Sequence, residues 1–130
     1  MICLDSDCII DFLNGKGDAK LVVSKYFEEI VTTEINAFEI FFGIYNQKII
    51  DKKEEESAKA FFEEIEILPY GNNCGRSSAC LLSGLKKQGK EIEQNDCHIV
   101  SSMISNGCSK IITKNKKHFE RIKGIKVISY

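Results

Sequence analysis

A chain of 130 residues with 43% hydrophobic and 28% charged side chains and a net charge of -1 fits one globular domain that buries roughly two-thirds of its unfolded surface. That composition excludes a disordered tail and a bulk polycation, so any nucleic-acid affinity must be local. The apolar runs are too short to span a bilayer, and the start lacks the basic region and long apolar core of a secretory signal, so a cytoplasmic protein without a membrane is expected.

The first residues, Ile2-Cys3-Leu4, form an apolar run without polar alternation, the pattern of a parallel strand covered on both faces. Asp5 follows at its carboxyl end. Ser6 or Asp7 is a cap for a helix carrying Ile9, Ile10, Phe12 and Leu13. In open α/β sheets this junction is where ligands bind, although an acid here can also do no more than cap the helix. After the turn at 14–18, residues 19–27 resume a helical pattern and Ile30-Val31 makes a second strand.

Thr32 or Thr33 caps the next helix, expected to run to about Ile49. Ile35, Phe38 and Phe42 form its apolar stripe, with Glu39 in the gap between them. An ionised carboxylate in an apolar face needs a metal, a cation or a water-lined cleft, or else must reach solvent at the edge of the stripe. Phe41, Ile44 and Tyr45 widen the apolar surface enough to pack on a second chain.

Residues 51–66 hold seven acids and three lysines over a stripe of Ala58, Phe61, Phe62 and Ile65, which reads as a solvated helix. A third strand spans 65–69. Asn72 or Asn73 then caps a helix ending at Gln88-Gly89. After a polar connection, Asp96 heads an inward stripe with Ile99, Val100, Met103 and Ile104. The helix dipole alone would also favour an acid in that first turn. Residues 110–112 form a fourth strand, a short helix carries Phe119 and Ile122, and 125–128 close the series. Five strands alternating with helices predict an α/β domain with a central, mostly parallel sheet.

None of the six cysteines forms a C-x-x-C pair, which favours reduced core thiols over zinc or a disulfide framework. In a right-handed parallel sheet the strand ends that precede helices share one edge, so Asp5, the Thr33 helix, Asp96 and Thr113 should converge. Three carboxylates without an adjacent base suit a hard cation, magnesium or manganese rather than zinc. Such an ion can activate water and polarise a phosphodiester.

Four stretches together resemble the PIN-domain family, and within it the VapC-type toxins of toxin-antitoxin pairs. The opening Leu4-Asp5-Ser6-Asp7-Cys8-Ile9-Ile10-Asp11-Phe12-Leu13 is similar to that family's Leu-Asp-Thr-Asn start. Thr33 through Glu39 to Gly43 resembles its Thr-x(5)-Glu-x-x-x-Gly helix. Asp96-Cys97-His98-Ile99-Val100-Ser101-Ser102 resembles Asp-x-x-Ile-Ala-Ala, and Ile112-Thr113-Lys114-Asn115-Lys116-Lys117-His118-Phe119 resembles Val-Thr-x-Asn-x-x-Asp-Phe. The resemblance implies a single PIN domain over 1–130 and a Mg2+- or Mn2+-dependent endoribonuclease. In it Asp5, Glu39 and Asp96 bind the cations, Ser6 and Thr113 assist by hydrogen bonding, and Asn115 and His118 support the site. It also implies a homodimer and a VapB-like antitoxin that blocks the groove. Two positions depart from the pattern: Asp7 replaces the usual asparagine, and His118 replaces the fourth acid, either as a ligand for a softer metal or as a structural residue.

Residues 110–126 contain seven bases and one acid. Lys114, Lys116 and Lys117 flank Thr113, where they can hold RNA phosphates or simply solvate a helix face. A PIN domain that binds RNA or protein without cutting is the main alternative function. Asp5-Ser6-Asp7 also resembles the Asp-x-Asp start of haloacid-dehalogenase-type phosphatases, whose later acid pair is missing after Asp96. A receiver domain would need an aspartate where the third strand ends in Leu68-Pro69-Tyr70. His98, two residues beyond Asp96, is expected to point away from the site.

Overall fold

The computed structural model describes residues 1–130. Its five strands are β1 (Ile2–Leu4), β2 (Ile30–Thr33), β3 (Glu66–Leu68), β4 (Lys110–Ile112) and β5 (Lys126–Ile128). They form one sheet in the order β3-β2-β1-β4-β5, every pairing parallel. The helices are α1 (Ser6–Leu13), α2 (Gly17–Lys25), α3 (Glu34–Tyr45), α4 (Lys52–Glu64), α5 (Cys74–Lys87), α6 (Gln94–Ser105) and α7 (Lys116–Glu120).

Because successive strand side chains face opposite ways, the apolar strands feed two cores. Cys3, Val31, Leu68 and Ile111 pack with Leu85, Cys97, Ile99, Met103 and Phe119 on the side of α5, α6 and α7. Ile2, Leu4, Ile30 and Ile112 pack with Ile9, Val23, Ile40, Ile44 and Phe62 on the side of α1 to α4. This two-sided burial is why β1 carries no polar residue. Each fully buried Leu or Ile contributes about 1.5–3 kcal/mol. All six cysteines are free, and only Cys80 is exposed.

Several boundaries differ from the sequence expectation. The α1 cap is Asp5 itself, whose side chain accepts the Ser6 N–H, rather than Ser6 or Asp7. Thr33, not Thr32, caps α3 by accepting the Asn36 N–H. That helix stops at Tyr45 instead of near Ile49: after the last helical bond, Asn46 N–H to the Phe42 carbonyl, the Gln47 N–H turns tightly onto Ile44, and Asp51 soon caps α4. Asn73 precedes α5 in the left-handed region, φ 68°, with no side-chain cap bond; asparagine tolerates that conformation better than most residues.

The apolar stripe of α3 is also rotated. Asn36, Ala37, Ile40 and Ile44 are buried, while Phe38 and Phe42 are 59% and 56% exposed. Ile104 is likewise exposed, although Asp96, Ile99, Val100 and Met103 point inward as expected. No helix is long and apolar enough to cross a membrane.

The chain steps outward from β1 to β2 and β3, then returns to the other side of β1 with β4. The strand order therefore reverses between β1 and β4, which opens a crevice at their carboxyl ends. Asp5 and Thr113 stand on either side of it.

Candidate metal and phosphodiester site

The expected convergence takes place. Asp5 is 6% exposed, and its amide still pairs with the Ile112 carbonyl at 3.0 Å. Its Oδ1 accepts from the Ser6 N–H at 2.9 Å and from Asn36 Nδ2 at 3.3 Å, and its Oδ2 accepts from Thr113 Oγ1 at 2.7 Å. Asp5 caps α1 and at the same time lies close enough to Asp7 and Asp96 to feel their charge. Ser6 Oγ donates to Glu39 Oε1 at 2.7 Å, and Asn95 Nδ2 reaches Glu39 Oε2 at 3.4 Å. Glu39 is therefore not sunk in an apolar stripe. It is half-buried at the flank of α3, held by one residue from α1 and one from α6.

Asp96 completes the trio from the first turn of α6. It is 7% exposed, and its Oδ2 lies 3.0 Å from His118 Nδ1. Asn115 Nδ2 lies 2.9 Å from the same ring nitrogen. His118, standing where the sequence pattern has an acid, thus holds a carboxylate. His98 turns away as expected, its Nδ1 2.9 Å from the Tyr70 hydroxyl.

Electrostatics reflect this crowding. Burial, then the charge of Asp7, pushes Asp5 up to about 7, against the Thr113 hydrogen bond. Burial also raises Asp96, opposed by His118. Asp7 is raised by burial against the hydrogen bond from the Lys114 amide. Asp7 Oδ2 accepts from that amide at 3.0 Å and lies 3.4 Å from Thr113 Oγ1, while Oδ1 is buried without a partner.

No three His, Cys, Asp or Glu side chains stand close enough to share one ion; Ser6, Asn36 and Thr113 separate the carboxylates. The donor chemistry nevertheless fits a hard divalent cation. Asp5, Glu39 and Asp96 offer oxygen only, the charge of Asp96 opposes those of Asp5 and Glu39 and so favours added positive charge, and beside them Asp7 Oδ1 is buried without a donor.

The three lysines differ from one another. Lys114 is paired with Asp11 and sits 5.4 Å from the centre of the Tyr130 ring. Tyr130 donates its hydroxyl to Asp11 at 2.8 Å, and Lys16 adds a contact at 3.3 Å. With Lys114 the leading cause, Asp11 falls to about 2. Lys116 pairs with Glu120 at 3.5 Å. Lys117 forms no ion pair.

Sequence reasoning missed Asn36, Asn95 and the Asp11–Lys114–Tyr130 cluster. Asn36 is fully buried and bonds Asp5, Ser6 Oγ at 3.0 Å and Thr33 Oγ1 at 2.7 Å. Its one sequence signal is an amide three residues after a capping threonine.

The family model of the PIN domain matches residues 2–125. The chain belongs to the PIN domain family. No curated relative matches it in sequence. Among solved structures, it is similar to VapBC2 from Rickettsia felis bound to a promoter DNA fragment, with TM-score 0.87, 21% identity, and coverage of 100% of this chain and 99% of that one. DNA-bound VapBC from Salmonella typhimurium gives TM-score 0.84 at 20% identity, covering 98% and 96%. VapBC-1 from nontypeable Haemophilus influenzae gives 0.81 at 21%, covering 99% and 98%. At these identities the likeness is one of fold. The PIN match also sets aside the dehalogenase-type phosphatase and the receiver domain.

Proposed function

We propose that this PIN domain, spanning residues 1–130, is a Mg2+- or Mn2+-dependent endoribonuclease and the toxin of a VapBC-type pair. One observation carries this reading: Asp5, Glu39 and Asp96 reach the same strand-end crevice from three separate segments, linked by donors placed to orient carboxylates. Asp5, Glu39 and Asp96 would hold the cation, which when bound acidifies water and polarises a phosphodiester.

The chain's own groups keep that site oriented. Thr113 Oγ1 fixes one Asp5 oxygen while Ser6 N–H and Asn36 Nδ2 fix the other. Ser6 also holds Glu39, and His118, with Asn115 beside it, holds Asp96. Lys116 and Lys117 stand on α7 beyond Thr113, where they attract RNA phosphates. Lys114 acts mainly by holding Asp11, although its exposed stem leaves it near the same path. The cytoplasm is the compartment in which such a toxin meets RNA.

The likeness to VapBC complexes supports a VapB-like antitoxin as partner. The exposed, stacked rings of Phe38 and Phe42, 5.7 Å apart, support a homodimer. The imidazole at position 118, where the family pattern carries an acid, favours a second reading, a PIN domain that binds RNA or protein without cutting.

The test compares a structured RNA with a DNA of equal length in magnesium, manganese and chelator, with Asp5→Ala in parallel. RNA cleavage that requires metal and disappears in Asp5→Ala is expected. Cleavage that persists in chelator, or in Asp5→Ala, would overturn the proposal. RNA retained uncut under every metal condition, including with RNA from the toxin's own cell, would establish the binding module.

A further inference from the structure

Asp7 stands apart from the other acids. Its Oδ1 is the one buried side-chain oxygen or nitrogen in the protein without a hydrogen-bond partner. Such an atom gives up its hydration with no protein donor in exchange, a cost that grows when it is charged, so it calls for a partner.

The obvious cation does not supply one. Lys114 gives Asp7 its backbone N–H, at 3.0 Å from Oδ2, but sends its ammonium to Asp11. The Asp7 carboxylate is one hydroxyl removed from that of Asp5: Thr113 Oγ1 is 3.4 Å from Asp7 Oδ2 and 2.7 Å from Asp5 Oδ2. Across the crevice, position 118 is occupied by an imidazole engaged with Asp96. An acid is thus present beside Asp5, while a base occupies the far side.

We propose that Asp7 supplies a fourth carboxylate to the divalent-cation site, standing in for the acid that His118 replaces. This rests on the cation site proposed above. In this arrangement Oδ2 stays on the Lys114 amide, which fixes the loop after β4, and Oδ1 is the oxygen free to face a hard cation or one of its waters. The negative charge is thereby moved from the α7 side of the crevice to the α1 side. His118 becomes a positioning residue for Asp96.

Calorimetric titration of the purified full chain with Mn2+ and Mg2+, without RNA, tests this independently of catalysis. Asp7→Asn keeps an oxygen for the Lys114 amide and removes the charge, so thermal melting in chelator verifies that folding is intact. Affinity should fall about tenfold or more, the scale of losing a group that tunes a metal site. Adding His118→Asp to Asp7→Asn should return affinity to within about threefold of the starting protein.

An Asp7→Asn affinity within twofold of the parent, with Asp96→Asn clearly weakened, would overturn the assignment while leaving the cation site in place. Loss without rescue by His118→Asp would overturn the exchange of roles between positions 7 and 118. If the parent chain itself binds neither ion, or Asp5→Asn and Asp96→Asn bind as well as the parent, the cation site fails and the assignment fails with it.

Discussion

Replacing Asn36 with alanine removes the amide that ties α3 to the end of β1. Four bonds disappear: one from Nδ2 to the Asp5 carboxylate, one from Nδ2 to Ser6 Oγ, one from Thr33 Oγ1 to Oδ1, and a weak one from the Cys3 thiol to Oδ1. A bond to a charged group is worth about 1.5–3 kcal/mol and a neutral one about 1, and the buried Thr33 hydroxyl is left without its acceptor. The N-cap survives, since it uses the backbone amide of residue 36. Partial relaxation of the lost bonds gives a net cost of about 3 kcal/mol, a large share of the 5–15 typical of a domain. For a chain of this size that lowers Tm by about 10 °C, read by calorimetry in chelator. Asp5 also becomes free to rotate about its remaining partners, so Mn2+ affinity should fall about tenfold in the same variant. A loss below about 1 kcal/mol, with unchanged Mn2+ affinity, would refute the claim that this amide orients Asp5.

Asp11 gives a pH prediction. Its folded pKa of about 2 lies below the unfolded value of about 4, so its stabilisation is complete above pH 4 and lost as pH falls toward 2. Urea midpoints of the parent and Asp11→Asn should therefore converge across that window, and a constant gap would contradict the ion-pair account. Under the proposed homodimer, Phe42→Lys should shift sedimentation equilibrium from dimer to monomer while changing the stability of the monomer, measured at high dilution, by no more than about 0.5 kcal/mol, because the ring is exposed. Lys117→Ala should make the salt dependence of RNA binding shallower by about one unit in log-log slope, as expected for one lost phosphate contact. Lys114→Ala should instead lower stability as well, through Asp11.

What the sequence reveals about this protein follows the physics of each signal. The strand-turn-acid junction at Asp5 is local: three apolar residues, an acid and a helix suffice to locate it, and parallel topology then places Thr113 and the α3 cap on the same edge. The rotation of α3 is not local. Periodicity weights Phe38 and Phe42 by size, but the face that meets the sheet has to be small near the crevice, so Asn36 and Ala37 go inward and the rings go out. Glu39, next to Phe38, consequently sits on the flank, where Ser6 and Asn95 can reach it. The same reasoning explains why Asn95 and the Asp11–Lys114–Tyr130 cluster were hidden: their partners lie 56, 103 and 119 residues apart, and no short-range pattern encodes such a pairing. In this chain Asp5 and Thr113 are announced by strand ends, whereas the amides that hold Asp5 and Glu39 are legible only once the segments are folded together. A substitution survey confined to the acids would therefore leave Asn36 and Asn95 untested. Both, by their bonds to Asp5 and Glu39, should alter metal affinity without themselves offering a charge.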